Sequence, residues 1–469
     1  MEFFKERGYK YSIILLFVFA IIARLWFYLP NQSLWFDEAG LAINFITKTY
    51  KGLLGGLDYL QAAPAGFCIL EKLMLDIVRP QNDSIRDYIL RLIPLLSGIL
   101  SLPAFYCLAK LVFNDKVKRL AAFAIFSLNT HAILYCSQCK QYTLELLLSV
   151  ILITLFYKML KDEYKWFYSF IIAISPWFSY SSFFIIAAGF LALLIKNRKQ
   201  FVINVIPFIL SAAIYYFVSL KSVFSVNYAG MDEVWITFKA FMDIHHPMRL
   251  FIRFGELFML TKICAVLAGG IGFYSLVCFL FSKRESGCKI LFTIPVILVI
   301  FASLMHKYPV YSRLVLFLLP VFAIAVTDIA GKFNNILKSV FIFIVIFSLL
   351  NNSIYAKEMA YSYARDVVDY LRTEIKPEDK IIMDNDATEY YFYLEGKGIN
   401  NKIYKMPVTC IECNIGLCRD FVKTLPADNY YLFSSHDNVE EVAKGYKLYE
   451  LPFKPKYVKA VYFEKMRNK

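Results

Sequence analysis

Charged side chains are scarce in this sequence: Asp, Glu, Lys and Arg make up only 19% of its 469 residues. In a typical soluble chain about a quarter of the residues are charged, and fewer are apolar. Here 59% of the residues are hydrophobic, and the mean hydropathy is +0.52. Because long apolar runs recur along the chain, the composition excludes a signal peptide followed by a soluble domain. It predicts a polytopic α-helical membrane protein.

The sequence also lacks internal repeats, low-complexity segments and a glycine-rich phosphate loop. Many transporters are built from repeated halves, so the missing repeat counts against that class. The strand-like segment 381–384 ends in an aspartate with no glycine-rich loop after it, which disfavours a nucleotide site. The formal net charge of +14 does not indicate nucleic-acid binding, because the basic residues cluster in short loops between apolar runs.

The apolar runs predict about eleven spans, with the N-terminus in the cytoplasm and the C-terminus outside. Basic residues precede the first span, Tyr11–Leu29, which assigns the N-terminus to the cytoplasmic side. The run Ala65–Val78 is short for a span and is predicted to be a re-entrant or interface-lying helix in a long external loop, 30–88. The second span is predicted to be opened by residues 86–94 and to run to about 112. The later spans are predicted at about 120–135, 143–160, two within 166–195, 201–220, one ending at 283–284, 288–305, one ending near 332, and 336–352.

The composition changes after residue 352, where charged and polar residues return. Residues 1–352 are therefore predicted to form the membrane domain, and residues 353–469 a small external α/β domain that caps the membrane site. Within the second domain, helices are predicted at 356–373, 389–394 and 439–444, and strands at 380–384, 430–433 and 456–464.

The ten cysteines do not define a metal site. Cys410, Cys413 and Cys418 are three thiols without a nearby histidine, which is an incomplete zinc site. A local disulfide plus one free thiol fits an oxidising exterior equally well. Adjacent histidines, His245 and His246, point in different directions on most backbones and are not expected to share a metal with Asp232 or Glu233. No cofactor is predicted; a divalent metal is compatible with the sequence but not indicated by it.

Two adjacent carboxylates, Asp37 and Glu38, follow directly after the first span. A carboxylate near the hydrocarbon boundary is costly unless it faces water, a partner or a substrate. Trp35 and Phe36 fit the interfacial aromatic belt, which would hold the acids at the depth of the lipid headgroups. A surface acidic pair on a loop is the alternative, and the position after the first span favours a functional site.

Cationic and aromatic side chains occur at other predicted external ends of the spans. One turn has the sequence Tyr-Cys-Ser-Gln-Cys-Lys-Gln-Tyr over residues 135–142, and a later one has Tyr-Pro-Val-Tyr-Ser-Arg over residues 308–313. Lys140 and Arg313 are the strongest candidates for binding a phosphate leaving group, with Arg86 and Arg91 behind them. The alternative for each of these cations is a snorkelling residue at the membrane interface.

These elements resemble those of polyprenyl-phosphate-dependent glycosyltransferases of the GT-C superfamily, in particular the protein O-mannosyltransferases and the bacterial aminoarabinose transferases. The resemblance covers residues 11–352. It rests on the aromatic-x-Asp-Glu element after the first span, the Ser-Gln-x-x-x-Tyr element of residues 137–142, and the aromatic-Arg element of residues 308–313 followed by Pro320. The family frequently has an arginine inside the second element, where this chain has Lys140 and Gln141. The resemblance implies a bundle of transmembrane helices with an external catalytic cavity, inversion at the anomeric carbon, and Asp37 as the catalytic base.

Sugar transfer from a lipid phosphate needs a base, cations for the leaving group, and surfaces that hold the sugar and the lipid. Together with this resemblance, which implies inversion, the sequence predicts an inverting glycosyltransferase of the bacterial inner membrane, with a polyprenyl-phosphate-linked sugar as donor and an extracytoplasmic lipid, glycan or protein as acceptor. The alternatives are a flippase for a lipid-linked sugar and a glycan-joining enzyme of the same fold. The predicted catalytic residue is Asp37. Glu38 is either structural or binds acceptor or metal. The residues predicted to bind substrate are Glu38, Arg86, Arg91, Ser137, Gln138, Lys140, Tyr142, Tyr311 and Arg313.

Overall fold

The computed structural model describes residues 2–225, 236, 239–258, 262–330, 346, 364–376, 379–383, 388–394, 403–405, 430–434, 446–450 and 459–465. The predicted eleventh span (apart from residue 346), the helix predicted at 439–444 and the cysteines at 410, 413 and 418 lie outside these residues. So do Asp232 and Glu233.

Five described helices are long and apolar enough to cross a membrane, or six spans if a pair of helices bent by 56° is counted as one. Four further apolar helices contain only 10–17 residues each. The first ten predicted spans fall on these helices, and five or six of them reach spanning length. The long helices are Arg7–Tyr28, Asp83–Val112, Tyr142–Leu160, Arg198–Val223 and Ser286–Leu304, the bent pair is Lys116–Ser127 with Thr130–Ser137, and the shorter helices are Phe167–Phe178, Ser182–Lys196, Ala265–Leu280 and Leu316–Ala330.

Basic residues from several turns meet at one end of the helix bundle. Lys161 and Lys196 both pair with Glu285, at 2.9 and 3.7 Å. Arg284 pairs with Asp328 at 2.9 Å. We call this the basic end. The distribution of basic residues in the sequence predicted that these turns lie on the same side of the membrane, and in the structure they lie at the same end of the bundle.

The predicted external loop contains three helices, Phe36–Thr47, Ala65–Val78 and Asp83–Leu90. The second has the predicted bounds and is 14 residues long. It begins against the end of the helix Phe167–Phe178, where a Cβ on Gly66 would lie 2.6 Å from the Trp177 carbonyl oxygen. Only glycine allows this close approach, so Gly66 fixes where the loop crosses the bundle.

The described C-terminal segments form a five-stranded mixed sheet and two helices, Ala364–Glu374 and Thr388–Leu394. In chain order the strands are β1 (Lys380–Met383), β2 (Ile403–Lys405), β3 (Tyr430–Ser434), β4 (Tyr446–Glu450) and β5 (Lys459–Lys465). The sheet order is β2-β1-β3-β5-β4. β1 pairs in parallel with β2 and β3, whereas β5 pairs antiparallel with β3 and β4. The sequence predicted β1, β3, β5 and both helices, although the first eight residues of the helix predicted at 356–373 lie outside the described residues. It missed β2 and β4, whose short segments carry little pattern of their own.

An apolar cluster joins the first loop to the C-terminal segments. Phe45, Phe67 and Leu90 from the loop side are fully buried, together with Val367 and Tyr393 from the two C-terminal helices. Burying large apolar side chains of this kind contributes about 1.5–3 kcal/mol each. The C-terminal helices therefore pack directly on the part of the chain that carries Asp37.

Candidate active site

Asp37 and Glu38 lie in the first turn of the helix Phe36–Thr47. Carboxylates are favoured in a first turn because the backbone N–H groups there have no helical partner and give the helix end a partial positive charge. Successive side chains on an α-helix point about 100° apart. The two acids are both buried and therefore face different partners.

Asp37 is the centre of a cluster with Gln61, Lys140 and Arg313. Its Oδ1 accepts hydrogen bonds from Lys140 Nζ at 2.9 Å and from Gln61 Nε2 at 3.2 Å. Its Oδ2 lies 3.1 Å from Arg313 Nη1, which forms an ion pair. Lys140 Nζ also donates to Gln61 Oε1 at 2.6 Å, so the Gln61 amide bridges the carboxylate and the ammonium group.

Two cations facing one carboxylate set the electrostatics of this cluster. Burial alone would raise the pKa of Asp37, but the positive charges of Lys140 and Arg313 outweigh burial and lower that pKa to about 2. Burial lowers the pKa of Lys140, and its ion pair with Asp37 opposes that change. Asp37 is therefore ionised throughout the neutral range. The side chains of Asp37 and Arg313 are 12% and 18% exposed, so an incoming group can reach them.

Glu38 is held on the other side of the helix by Arg91. Arg91 donates from Nε to Oε1 at 2.9 Å and from Nη2 to Oε2 at 2.7 Å, which is a bidentate pair. The backbone N–H groups of Cys139 and Trp35 donate to the same carboxylate, at 2.6 and 3.4 Å. With its side chain 1% exposed, Glu38 has the contacts of a structural residue rather than of an acceptor or metal ligand.

The turn that carries Lys140 follows the bend of the broken helix pair. Arg24, fully buried in the first helix, donates from Nη1 to the Ser127 carbonyl oxygen at 3.0 Å, where the first helix of the pair ends. Nearby, a Cβ on Gly98 would lie 2.0 Å from Cys136 Sγ. The absence of a side chain at Gly98 therefore lets the turn pack against its neighbouring helix.

Aromatic rings surround the Arg313 guanidinium. Its Cζ lies 5.9 Å from the ring centroid of Trp35 and 5.6 Å from that of Tyr311. These are cation–π distances. Tyr135 and Tyr142 contact each other edge to face at 5.0 Å. Tyr135 also interacts with Arg313. The rings therefore provide apolar surface beside the charged cluster.

The other predicted site residues take different places. Ser137 Oγ donates to the Leu134 carbonyl oxygen at 2.8 Å, and the Gln138 carbonyl oxygen accepts the Lys140 N–H at 2.7 Å, so both shape the turn. Arg86 pairs with Asp83 at 2.6 Å, and its guanidinium lies 4.0 Å from the Phe392 ring centroid.

The structure thus brings five of the predicted site residues together, namely Asp37, Lys140, Tyr142, Tyr311 and Arg313. Glu38 and Arg91 lie behind this group, and Arg86 lies at the C-terminal segments.

Sequence reasoning missed several residues of the site. Gln61 follows Tyr59 and Leu60, whose φ angles of 60° and 51° bend the loop back, and no sequence pattern marks such a bend. Arg24 had a usable signal, because an arginine inside an apolar run is costly and rarely without a role. So did Glu71, which is fully buried in a short apolar helix. Its carboxylate oxygens have no hydrogen-bond partner among the described residues, and burial raises its pKa well above the usual range.

Among the described residues, no group of three or more His, Cys, Asp or Glu side chains could hold a metal ion. His246 Nδ1 lies 2.7 Å from Asp243 Oδ2, and the backbone N–H of His245 donates to Oδ1 of the same carboxylate at 2.9 Å.

No protein-family model and no curated protein sequence matches the chain. Solved structures match it in fold. ArnT from Cupriavidus metallidurans in the apo state superposes with a TM-score of 0.61 at 10% identity, covering 96% of this chain and 97% of ArnT. ArnT bound to undecaprenyl phosphate gives a TM-score of 0.59 with the same identity and coverage. The archaeal oligosaccharyltransferase AglB from Archaeoglobus fulgidus, in complex with an inhibitory peptide and a dolichol-phosphate, gives 0.55 at 11% identity, covering 92% of this chain and 71% of AglB.

The chain therefore shares the fold of ArnT and AglB, which confirms the predicted resemblance at the level of fold. The five described helices that are long and apolar enough to cross a membrane indicate an integral membrane protein.

Proposed function

We propose that this protein is an inverting glycosyltransferase that moves a sugar from a polyprenyl-phosphate donor to an extracytoplasmic acceptor. The observation that carries the proposal is one ionised carboxylate, Asp37, held between Lys140 and Arg313 and still partly accessible. ArnT with undecaprenyl phosphate and AglB with dolichol-phosphate share the fold, which supports a lipid-phosphate donor.

In this proposal the protein lies in the bacterial inner membrane, with the basic end in the cytoplasm and Asp37 outside. The basic end supports this orientation, because short cytoplasmic loops carry an excess of Lys and Arg. Residues 1–352 form the membrane domain, the loop 30–88 supplies the base, and residues 353–469 form the external accessory domain.

Lys140 and Arg313 would bind the donor phosphate. A phosphodiester carries one negative charge, and the lipid phosphate released by transfer carries about 1.5–2 negative charges at neutral pH. Two cations opposite one carboxylate leave a positive surplus that matches the growing charge on the leaving group. Stabilisation of charge that develops in the transition state accelerates the reaction directly.

Asp37 would take the proton of the acceptor. The acceptor hydroxyl oxygen forms a bond to the anomeric carbon on the face opposite the phosphate, while its proton passes to the Asp37 carboxylate. The bond from the anomeric carbon to the phosphate oxygen breaks, and its electron pair leaves with the lipid phosphate beside Lys140 and Arg313. One displacement of this kind inverts the anomeric configuration.

Donor binding would also change the basicity of Asp37. In the cluster both cations lower the pKa of Asp37 to about 2, which makes it a weak base. A donor phosphate competes for the same two cations and draws them from the carboxylate. The pKa of Asp37 then rises towards its ordinary value when the donor is in place, so the base gains strength at the point where it is needed.

We expect Lys140→Met and Arg313→Met to weaken the binding of undecaprenyl phosphate by about 10-fold or more each, since a hydrogen bond to a charged group contributes about 1.5–3 kcal/mol. Native mass spectrometry of the protein in lipid nanodiscs, titrated with undecaprenyl phosphate, measures the change. Lys161→Met is the matched control, because Lys161 pairs with Glu285 at the basic end and should leave binding unchanged. Equal loss in all three variants would reject a specific phosphate site at Asp37.

The pH dependence separates the free enzyme from the donor complex. The profile of kcat/KM reports the free enzyme, and that of kcat reports the enzyme–substrate complex. With the pKa of free Asp37 at about 2, kcat/KM should show no loss from Asp37 down to about pH 4. The acidic limb of kcat should lie at higher pH, because the bound phosphate engages the cations. Coincident acidic limbs would show that the donor does not compete with Asp37.

The activity itself is tested in cells. A strain that lacks this protein should lose one sugar from a component of its envelope, as measured by mass spectrometry, and the wild-type gene should restore it while Asp37→Asn should not. Full restoration by Asp37→Asn would overturn the proposal. Shortened glycans on a gel would instead assign glycan joining, and counterflow of lipid-linked sugar in proteoliposomes without product would assign a flippase.

A further inference from the structure

The backbone that leads into Asp37 is held by residues from the far end of the chain. We define the lead-in segment as residues 31–35, between the first helix and the helix Phe36–Thr47. This segment has no regular secondary structure, so its own backbone bonds do not fix its course.

Arg365 and Tyr393 of the C-terminal helices supply direct contacts to the lead-in segment. Arg365 Nη2 donates to the Asn31 carbonyl oxygen at 2.8 Å, and the Arg365 N–H donates to Ser33 Oγ at 3.1 Å. The Tyr393 hydroxyl oxygen accepts the Leu34 N–H at 2.7 Å. These contacts join residues more than 300 positions apart in the sequence, and the contacted residues of the lead-in segment lie within four positions of Trp35.

Both side chains are themselves fixed by one buried carboxylate. Asp87 Oδ2 accepts hydrogen bonds from Arg365 Nη1 at 2.9 Å and from the Tyr393 hydroxyl at 2.7 Å. Asp87 is fully buried, and the Tyr393 ring is fully buried as well. A tyrosine that accepts from a backbone N–H and donates to a carboxylate has little freedom to move, so the Leu34 N–H is held in place.

Arg91 holds two further carbonyl groups of the segment. It donates from Nη1 to the Gln32 carbonyl oxygen and from Nη2 to the Ser33 carbonyl oxygen, the latter at 3.3 Å. The same guanidinium pairs with Glu38. The lead-in segment is thus held between Arg91 on one side and Arg365 with Tyr393 on the other, immediately before the first turn that carries Asp37.

We propose that Arg365 and Tyr393 are positioning residues for Asp37, so that the C-terminal segments complete the active site rather than only cover it. Neither residue touches the Asp37 cluster in the described contacts; they act through the backbone of residues 31–35. The consequence for catalysis rests on the proposed transferase function. The consequence for the order of the lead-in segment does not, because it follows from the hydrogen bonds alone.

The test compares Arg365→Ala and Tyr393→Phe with Arg372→Ala in the full-length protein in nanodiscs. Arg372 lies on the same helix as Arg365 and pairs with Asp83 and Asp369, so it is a matched arginine without a contact to the lead-in segment. Hydrogen exchange measured by mass spectrometry should become about 10-fold faster for peptides over residues 31–40 in the first two variants, and stay within about 2-fold in Arg372→Ala.

The second part of the test measures kcat and KM of sugar transfer in the same variants. Displacing a catalytic group by about 1 Å can lower the rate by about 100-fold, so kcat should fall by that order in Arg365→Ala and Tyr393→Phe while KM for the donor changes less than about 3-fold. Arg365→Lys should recover part of kcat, because it keeps a cation beside Asp87. The positioning role would be overturned if Arg365→Ala, Tyr393→Phe and Arg372→Ala all lowered the melting temperature to the same extent while hydrogen exchange over residues 31–40 stayed unchanged. Faster exchange without transfer by any form of the protein would uphold positioning and reject the transferase function.

Discussion

Asp37→Asn should lower the rate of sugar transfer by about 100- to 10,000-fold, the range that a general base contributes. Asparagine keeps the size of the side chain and its capacity to accept from Gln61 and Lys140, but it cannot take a proton. It also leaves Lys140 and Arg313 without their counter-charge. Single-turnover transfer, with the purified protein in excess over the labelled donor, measures the chemical step separately from product release.

The same substitution should strengthen donor binding, which distinguishes loss of the base from loss of the fold. Without the Asp37 charge, Lys140 and Arg313 lose the carboxylate that competes with a phosphate for them. The affinity for undecaprenyl phosphate should therefore rise while transfer is lost. A variant that loses both binding and transfer would indicate collapse of the site, and a variant that retains near wild-type transfer would reject Asp37 as the base.

Arg91→Met should lower the free energy of unfolding by about 3–5 kcal/mol, since it leaves Glu38 buried without its cation. Glu38 is 1% exposed, and its ion pair with Arg91 is bidentate, so water cannot replace the lost partner. Unfolding in mixed micelles with increasing sodium dodecyl sulfate measures the change.

Two comparisons sharpen this second prediction. Arg372→Met removes an arginine that is 30% exposed beside Asp83, and an ion pair of that kind is worth about 1 kcal/mol or less. The double variant Glu38→Gln with Arg91→Met should be less destabilised than the sum of its single changes, because the uncompensated charge is removed. Additive effects would mean that Glu38 and Arg91 do not act as a pair.

The sequence placed Asp37, Lys140 and Arg313 on one side of the membrane, and the family resemblance of the elements that carry them assigned them to one site. Each residue stands at the end of an apolar run, and the distribution of basic turns placed those ends on one side of the membrane. In the structure all three meet within hydrogen-bonding or ion-pairing distance. Successive spans cross the membrane in opposite directions, so every second turn lies on the same side. The alternation of apolar runs and charged turns therefore indicates which distant loops share one face of the bundle.

What the sequence could not predict depends on helix rotation and on long-range packing. Arg86 and Arg91 are five positions apart near one helix, and only the packed structure shows that Arg91 faces Glu38 while Arg86 lies over Phe392. Gln61 depends on left-handed backbone at the two preceding residues, and Tyr393 depends on contacts made across more than 300 positions. None of these has a local pattern.

The buried arginine of the first helix has a consequence for biosynthesis. Arg24 lies about one turn before the end of the first helix, Arg7–Tyr28, and its side chain is fully buried, so it needs partners within the protein. In the finished molecule Arg24 donates to the Ser127 carbonyl oxygen, which the ribosome adds about a hundred residues later. This hydrogen bond therefore forms only after the chain up to Ser127 has been synthesised, so the packing around the end of the first helix, next to the loop that bears the acids, is completed late during translation.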